Sequence, residues 1–180
     1  MKITSGDYKY RNIEVPRDIR PTTEKVREAI FSIIRDWIPE AVVVDLFAGS
    51  GALGLEALSR GAAKCYFNEK NRQNFKVLLG NIANCKAEDK SVAMNRDYQT
   101  CLAGISEAVN IVIMDPPYAE LDYYDDAFNL LQEYELLEKG SVVIAEHLYA
   151  NPLNDNYGQL TKIKEKKYGS IGVDVFIMGD

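Results

Sequence analysis

The 180-residue sequence has few cysteines, no long apolar run and fewer basic than acidic residues, and each shortage excludes a class of protein. Its three cysteines, Cys65, Cys85 and Cys101, lack the spacing of a metal site or a disulfide framework, which predicts buried, reduced thiols and a cytoplasmic protein. No apolar stretch approaches the ~18 residues of a membrane span, and the amino terminus has no apolar signal core. We therefore expect neither a membrane partner nor a bound metal.

The shortage of positive charge bears on nucleic-acid binding. The chain has 21 Lys and Arg against 27 Asp and Glu, a net charge of -6. This balance argues against a protein that coats nucleic acid without sequence preference, because such binding needs clustered positive charge. Residues 1–35 nevertheless contain eight basic and five acidic residues, a net +3, so the remainder carries -9. This asymmetry indicates an anionic partner near the N-terminal region.

Apolar runs and amphipathic stretches alternate from residue 40 onward. This alternation predicts a Rossmann-like α/β fold: a mostly parallel, seven-stranded sheet with helices on both faces and an antiparallel C-terminal strand pair. Strands are predicted over 41–46, 63–68, 91–95, 109–114, 141–146, 159–168 and 171–178, and helices over 52–60, 71–84, 98–106 and 124–137. Residues 1–39 are predicted to form an extension that precedes the main domain. It consists of a hairpin and a helix, which Thr22 or Thr23 caps and which runs to about Trp37. Residues 40–180 form the predicted main domain.

A glycine-rich turn follows the first predicted strand. Gly49–Gly54 fits G-x-G-x-x-G between a strand and a helix, and Glu69, at the end of the second strand, can accept both hydroxyls of a ribose. These features first suggest an NAD enzyme. Asp45 closes the preceding strand, however, and would repel a pyrophosphate while suiting the amino group and sulfonium of S-adenosylmethionine. The combination favours S-adenosylmethionine over NAD.

A second motif, Asp115-Pro116-Pro117-Tyr118, follows the strand predicted over 109–114, at the sheet edge where open α/β folds bind ligands. The prolines remove two donors and stiffen the loop, which leaves the Asp115 carboxylate and the Pro116 carbonyl as acceptors. Acceptors on the hydrogens of an exocyclic amino group would turn its lone pair toward a methyl donor. The Tyr118 ring can stack on an extruded base. The motif therefore predicts methylation of a base amino group.

With DLFAGSGALGLEALSRGA at residues 45–62, this motif resembles the Rossmann-fold, S-adenosylmethionine-dependent amino-methyltransferases. The segment RPTTEKVRE at residues 20–28 further resembles the bacterial RsmD family, which methylates guanine N2 in small-subunit (16S) ribosomal RNA. The resemblance runs from about Ile3 to the last strand. One departure is Tyr10-Arg11, because family members often have a Gly-Arg pair in this first hairpin.

The resemblance implies roles for individual residues. The cofactor S-adenosylmethionine would be bound by Asp45, Phe47, Gly49, Gly51, Glu69 and Asp97. The guanine would be held by the catalytic residues Asp115, Pro116, Pro117 and Tyr118. The RNA would be contacted by Arg11, Arg20, Thr22 and Arg27.

The function predicted from the sequence is guanine-N2 methylation of small-subunit ribosomal RNA. The expected partner is this RNA within an assembled or assembling 30S particle, and the expected state is a monomer. Two alternatives stay open. A DNA adenine-N6 methyltransferase shares Asp-Pro-Pro-Tyr but usually carries an extra recognition domain, and a non-catalytic RNA-binding assembly factor would retain only the fold.

Overall fold

Strands and helices alternate along the chain in a computed structural model that describes residues 1–180. The strands are β1 (Val42–Asp45), β2 (Lys64–Asn68), β3 (Ser91–Met94), β4 (Val109–Met114), β5 (Leu137–Leu148), β6 (Asn156–Tyr157), β7 (Leu160–Tyr168) and β8 (Ile171–Met178). The helices are α1 (Glu24–Ile33), α2 (Ala52–Ser59), α3 (Arg72–Asn84), α4 (Tyr98–Ala103) and α5 (Asp122–Glu133). None of these helices combines the length and the apolar character that crossing a membrane requires.

All eight strands join one sheet in the order β3-β2-β1-β4-β5-β8-β7-β6. The first five strands pair in parallel, and β8 and β7 add to β5 as antiparallel strands, which confirms the predicted Rossmann-like fold with its C-terminal strand pair. The sheet has one strand more than predicted, because the two-residue strand β6 pairs with the start of β7. Its Tyr157 ring stacks on Phe128 of α5, a tertiary contact that sequence periodicity does not reveal.

Several element bounds differ from the predictions. Helix α4 ends at Ala103 rather than 106, and α5 spans Asp122–Glu133 rather than 124–137. The helix expected to reach Trp37 ends at Ile33 and continues as a 3-10 turn over Arg35–Trp37. Strand β5 begins at Leu137 rather than 141, since Leu137 pairs with Val109 ahead of a register shift. Residues 1–15 form a hairpin-like loop whose only ladder contact is the isolated bridge between Lys2 and Asn12.

Two apolar layers cover the two faces of the sheet. One contains α4 and α5, and the other contains α2, α3, α1 and the N-terminal loop. Ile3, Ile13 and Ile30 are almost fully buried in this second layer, so the first 34 residues cover the sheet beside α2 and α3. The three cysteines are buried free thiols, as predicted.

The sheet places the sequence motifs at one edge. Strands β1, β2, β4 and β5 run parallel, so their carboxyl ends meet at this edge. The strand order reverses between β1 and β4, which creates the crevice where open α/β sheets bind ligands. Thr23, one of the two threonines predicted to cap α1, does so through a side-chain oxygen that accepts a backbone N–H group, and Asn71 caps α3 in the same way.

Candidate active site

A cavity of about 780 Å³ opens at the carboxyl ends of the parallel strands. Its walls come from the glycine turn, the loop after β4, the end of β5 and the segment that precedes α1. The predicted residues that line it are Arg20, Thr22, Arg27, Phe47, Gly49, Glu69, Asp97, Asp115, Pro116, Pro117 and Tyr118. Three other predicted residues, Asp45, Gly51 and Arg11, do not form its wall.

The glycine turn brings backbone close to the cavity. Gly49 has φ +55° and Gly51 has φ +84°, a left-handed conformation that residues with a Cβ rarely adopt. A Cβ on Gly51 would lie 2.5 Å from Leu78 Cδ1 of α3, so this glycine permits the close packing of α2 on α3 rather than lining the cavity. Gly49, in contrast, is part of the wall.

Asp45 lies immediately behind this wall. Its side chain is buried, and its Oδ2 accepts a 3.0 Å hydrogen bond from the Gly54 N–H in the first turn of α2. Burial raises the pKa of Asp45 to about 7, against the opposing effect of the Gly54 hydrogen bond. Asp45 therefore anchors the glycine turn to β1, and its charge lies beneath the part of the cavity that the turn encloses.

Glu69 and Asp97 line the cavity on the β2 and β3 side. Glu69 Oε1 accepts the Gly49 N–H at 3.0 Å, and Oε2 accepts the Asn71 N–H at 2.7 Å. These bonds hold the half-buried carboxylate at the end of β2, in the cavity wall, and leave each oxygen with further acceptor capacity. Asp97 caps α4 by accepting the Thr100 N–H at 2.7 Å, and this bond is the main reason that its pKa lies below the usual range.

An aromatic cluster of Phe47, Tyr98 and Tyr123 closes the cavity on the α4 and α5 side. The Phe47 and Tyr123 rings stack with centroids 5.9 Å apart, and Tyr98 lies 4.6 Å from Tyr123. Sequence reasoning identified Phe47 but missed the two tyrosines, which occur in the first turns of separate helices. Their rings are tilted by 46° to each other and provide an aromatic surface beside Asp97.

The loop after β4 forms the opposite end of the cavity. Asp115 is half-buried in its wall, and the Pro116 carbonyl accepts no backbone N–H. The Tyr118 hydroxyl donates a 3.2 Å hydrogen bond to Glu146 Oε1 at the end of β5. Burial, followed by the charge of Glu146, raises the pKa of Asp115 well above its usual range. Burial also raises the pKa of Glu146, against the hydrogen bonds that it accepts.

Glu146 is a further site residue that sequence reasoning missed. Met114 pairs with Ala145, so the parallel register puts Asp115 and Glu146 next to each other, and their carboxyl groups are in contact. The sequence contained one indication of its role, because Glu146, like Asp45 and Asp115, is an acidic residue at or just after the end of a predicted strand. Nothing in the local sequence separates this position from an ordinary helix- or turn-associated acid.

The predicted RNA-binding residues fall into three environments. Arg20 is exposed at the cavity mouth, and the Thr22 hydroxyl donates a 3.0 Å hydrogen bond to Glu146 Oε2. Arg27 is only 2% exposed and lies 3.9 Å from the buried carboxylate of Glu56. A guanidinium so enclosed does not reach an RNA backbone outside the cavity, which corrects the expectation for Arg27.

Arg11 lies away from the cavity. It donates a 3.0 Å hydrogen bond to the carbonyl of Asn84 at the end of α3. Since α3 begins beside the glycine turn and runs back along the sheet, its last residue lies toward the opposite edge. The structure therefore does not bring Arg11 together with the other predicted site residues.

The whole chain is similar to proteins of one family. The family model described as conserved hypothetical protein 95 matches residues 1–177. The chain is 33% identical to ribosomal RNA small subunit methyltransferase D of Escherichia coli strain K12, over 98% of this chain and 89% of that protein. It is 28% identical to the protein of the same name from Haemophilus influenzae, over 98% of this chain and 93% of that protein. The solved structure of Escherichia coli yhhF matches with a TM-score of 0.89 at 31% identity, covering 99% of this chain and 98% of that one.

Proposed function

Because this chain belongs to the RsmD family of ribosomal RNA methyltransferases, we propose that it transfers a methyl group from S-adenosylmethionine to the exocyclic N2 of a guanine in small-subunit (16S) ribosomal RNA. The observation that carries the guanine-N2 assignment is the loop after β4. There Asp115, Pro116 and Tyr118 line one end of the cavity, and the Pro116 carbonyl accepts no backbone N–H.

The other end of the cavity suits S-adenosylmethionine. The buried carboxyl of Asp45 and the absence of a basic residue in the glycine turn favour a cationic ligand over a pyrophosphate. Glu69 provides acceptors for ribose hydroxyls, and Asp97, beside the aromatic cluster, provides one for the adenine amino group. When bound, the cofactor supplies an electrophilic methyl group on sulfur.

The protein contributes position and electrostatics to the reaction. Guanine N2 is a poor nucleophile because its lone pair is delocalised into the ring. Acceptance of the two N2 hydrogens by Asp115 and the Pro116 carbonyl pulls the lone pair out of conjugation and stabilises the positive charge that develops on nitrogen. Tyr118 holds the extruded base by stacking. One N2 proton leaves after transfer, and the adjacent carboxylate can accept it.

The expected substrate is RNA within an assembled or assembling 30S particle, and the expected enzyme is a cytoplasmic monomer. A net charge of -6 disfavours sequence-blind RNA affinity, so recognition must come from shape. Arg20 at the cavity mouth is the candidate for a phosphate contact.

Mass mapping of modified nucleotides in ribosomal RNA tests this proposal. RNA from a strain that lacks the protein should contain one unmethylated guanine N2, and the wild-type gene should restore the mark. The Asp115→Ala variant should fail to restore it while binding S-adenosylmethionine in calorimetry with an affinity close to wild type. Glu120→Gln, a change of an exposed carboxylate outside the cavity, is the matched control and should restore it.

Each alternative has its own outcome in the same experiments. Transfer to duplex DNA but not to small-subunit particles would favour the adenine-N6 methyltransferase. Calorimetry that detects no S-adenosylmethionine binding would favour the non-catalytic assembly factor. An Asp115→Ala enzyme with near wild-type activity on the authentic RNA would contradict the role of the loop after β4.

A further inference from the structure

Glu146 is the most buried acidic residue in the cavity wall. The methyl-transfer step described above gives it no role. It is 5% exposed, lies at the end of β5 and contacts Asp115, which follows β4. Burial raises the pKa of Asp115, and repulsion from the neighbouring Glu146 carboxylate raises it further. Because such a pair lowers the stability of the free protein, we expect it to serve a purpose, namely to accept hydrogen bonds from a ligand that has several donors.

Two hydroxyl groups fix the orientation of Glu146. Thr22 donates to Oε2 at 3.0 Å, and Tyr118 donates to Oε1 at 3.2 Å. A carboxylate has about four lone-pair positions, so each oxygen keeps acceptor capacity after these two bonds. Because Thr22 belongs to the N-terminal segment and Tyr118 to the base-binding loop, the carboxylate is held rigidly between the two walls of the cavity.

The number of acceptors matches the Watson–Crick edge of guanine. That edge carries three hydrogens, one on N1 and two on N2. The wall offers three acceptors at the same end of the cavity: the Pro116 carbonyl, Asp115 and Glu146. Adenine has two hydrogens on N6, whereas its N1 is an acceptor. A carboxylate opposite N1 therefore pairs with guanine and repels adenine.

We infer that Glu146 determines base specificity by accepting the N1–H of the target guanine, while Asp115 and the Pro116 carbonyl accept the hydrogens of N2. This inference rests on the proposed function. Thr22 is then a positioning residue that acts through Glu146, which gives the threonine of the N-terminal segment a role at the base rather than on the RNA backbone.

The simpler possibility is that Glu146 only anchors the N-terminal segment through Thr22. The Glu146→Gln variant separates the two, because a glutamine has the same shape and can keep hydrogen bonds to both hydroxyl groups. Its amide can also donate a hydrogen to an unprotonated N1, which a carboxylate cannot. An anchoring role would leave base preference unchanged, whereas a role in base recognition would alter it.

The test compares two bases at the methylated position, once mapping has identified it. Small-subunit particles are assembled with either guanine or 2,6-diaminopurine at that position. The latter keeps the N2 amino group but has no hydrogen on N1. We expect the wild-type enzyme to prefer guanine by about 100-fold in kcat/KM. Glu146→Gln should reduce this preference to within about tenfold. The two bases also differ in the group at position 6. Dividing the base preference of the wild type by that of Glu146→Gln cancels this difference, because both enzymes meet the same two bases.

Three outcomes are distinguishable. Wild-type transfer to guanine N2 with an unchanged preference in Glu146→Gln would overturn this inference and leave the proposed function intact. No wild-type transfer to guanine N2 would instead contradict the proposed function itself. Should Glu146→Gln be too unstable to assay, Glu146→Asp retains the charge but withdraws it from N1, and it should lower kcat/KM on guanine without gaining activity on 2,6-diaminopurine. A gain there would also overturn the inference. Glu120→Gln serves as the matched control.

Discussion

The Thr22 hydroxyl donates a 3.0 Å hydrogen bond to the Glu146 carboxylate and so joins two residues that are 124 positions apart. We expect Thr22→Val, which keeps the shape and removes the hydroxyl, to lower kcat/KM for methylation about tenfold and the free energy of unfolding by about 1–2 kcal/mol. Thr22→Ser retains the hydroxyl and should stay close to wild type in both. Steady-state kinetics and urea unfolding of the two variants measure this, and wild-type kinetics in Thr22→Val would contradict it.

The carboxyl pair of Asp115 and Glu146 should make methylation depend on pH. Both pKa values are raised, so at low pH the pair retains a proton and offers one acceptor fewer. Consequently kcat/KM should rise with pH and level off once the pair is fully ionised. In Glu146→Gln one negative charge that faces Asp115 is gone, so the rise should move to lower pH. The other groups that face the pair are Asp45, Thr22, Tyr118 and His147.

Profiles of kcat/KM between pH 5 and pH 9, at saturating S-adenosylmethionine, measure this dependence. A profile that is flat in the wild type, or one that moves to higher pH in Glu146→Gln, would show that the pair does not control the reaction.

Asp45 should lower the stability of the free protein at neutral and alkaline pH. Its folded pKa is about 7, above its ordinary value of 3.8, so its stabilising contribution is present at low pH and is lost as pH rises between these values. We expect Asp45→Asn to raise the free energy of unfolding by about 2 kcal/mol at pH 8 and by little at pH 4. The same change should weaken binding of S-adenosylmethionine, because it removes the charge beneath the glycine turn.

Urea unfolding at the two pH values, together with calorimetry, measures both effects of Asp45→Asn. The exposed Asp36 provides a control, since Asp36→Asn should produce no comparable gain that depends on pH. Equal destabilisation of Asp45→Asn at both pH values would contradict the role of the raised pKa.

Tyr10 occupies a backbone conformation that favours glycine. Its φ is +72°, and its side chain is 69% exposed, so little packing offsets the strain. We expect Tyr10→Gly to raise the free energy of unfolding by about 0.5–1 kcal/mol. Tyr10→Ala keeps a Cβ and therefore the strain, so it should not gain stability. A comparison of urea midpoints for these variants measures the effect, and equal gains in both would argue against backbone strain as its cause.

The sequence predicted the alternating strands and helices well because their signals are local. The strand ends at Asp45 and Met114 and the cap at Asn71 follow from short apolar runs, turn residues and capping chemistry. Strand β6 was missed because a strand of two residues is too short to show an alternating apolar pattern. It pairs with β7, and its Tyr157 stacks on Phe128 of α5.

Site residues were predictable where a motif surrounds them. Asp115 and Tyr118 belong to a short segment that allows few backbone conformations. Glu146 has no such neighbours, and its place in the cavity depends on the parallel register between β4 and β5 and on a threonine at the other end of the chain. Arg27 shows the converse, since a basic segment suggests an exposed surface while helix packing encloses this side chain.

The final strand of the chain, β8, lies between β5 and β7 rather than at an edge of the sheet. It pairs with β5 from Val142 to Leu148 and so supports the strand that carries Glu146. During synthesis, at about 5–20 residues per second, every motif of the site emerges before this strand does. A chain that stops before β8 therefore contains every signature residue but lacks the strand that pairs with the end of β5.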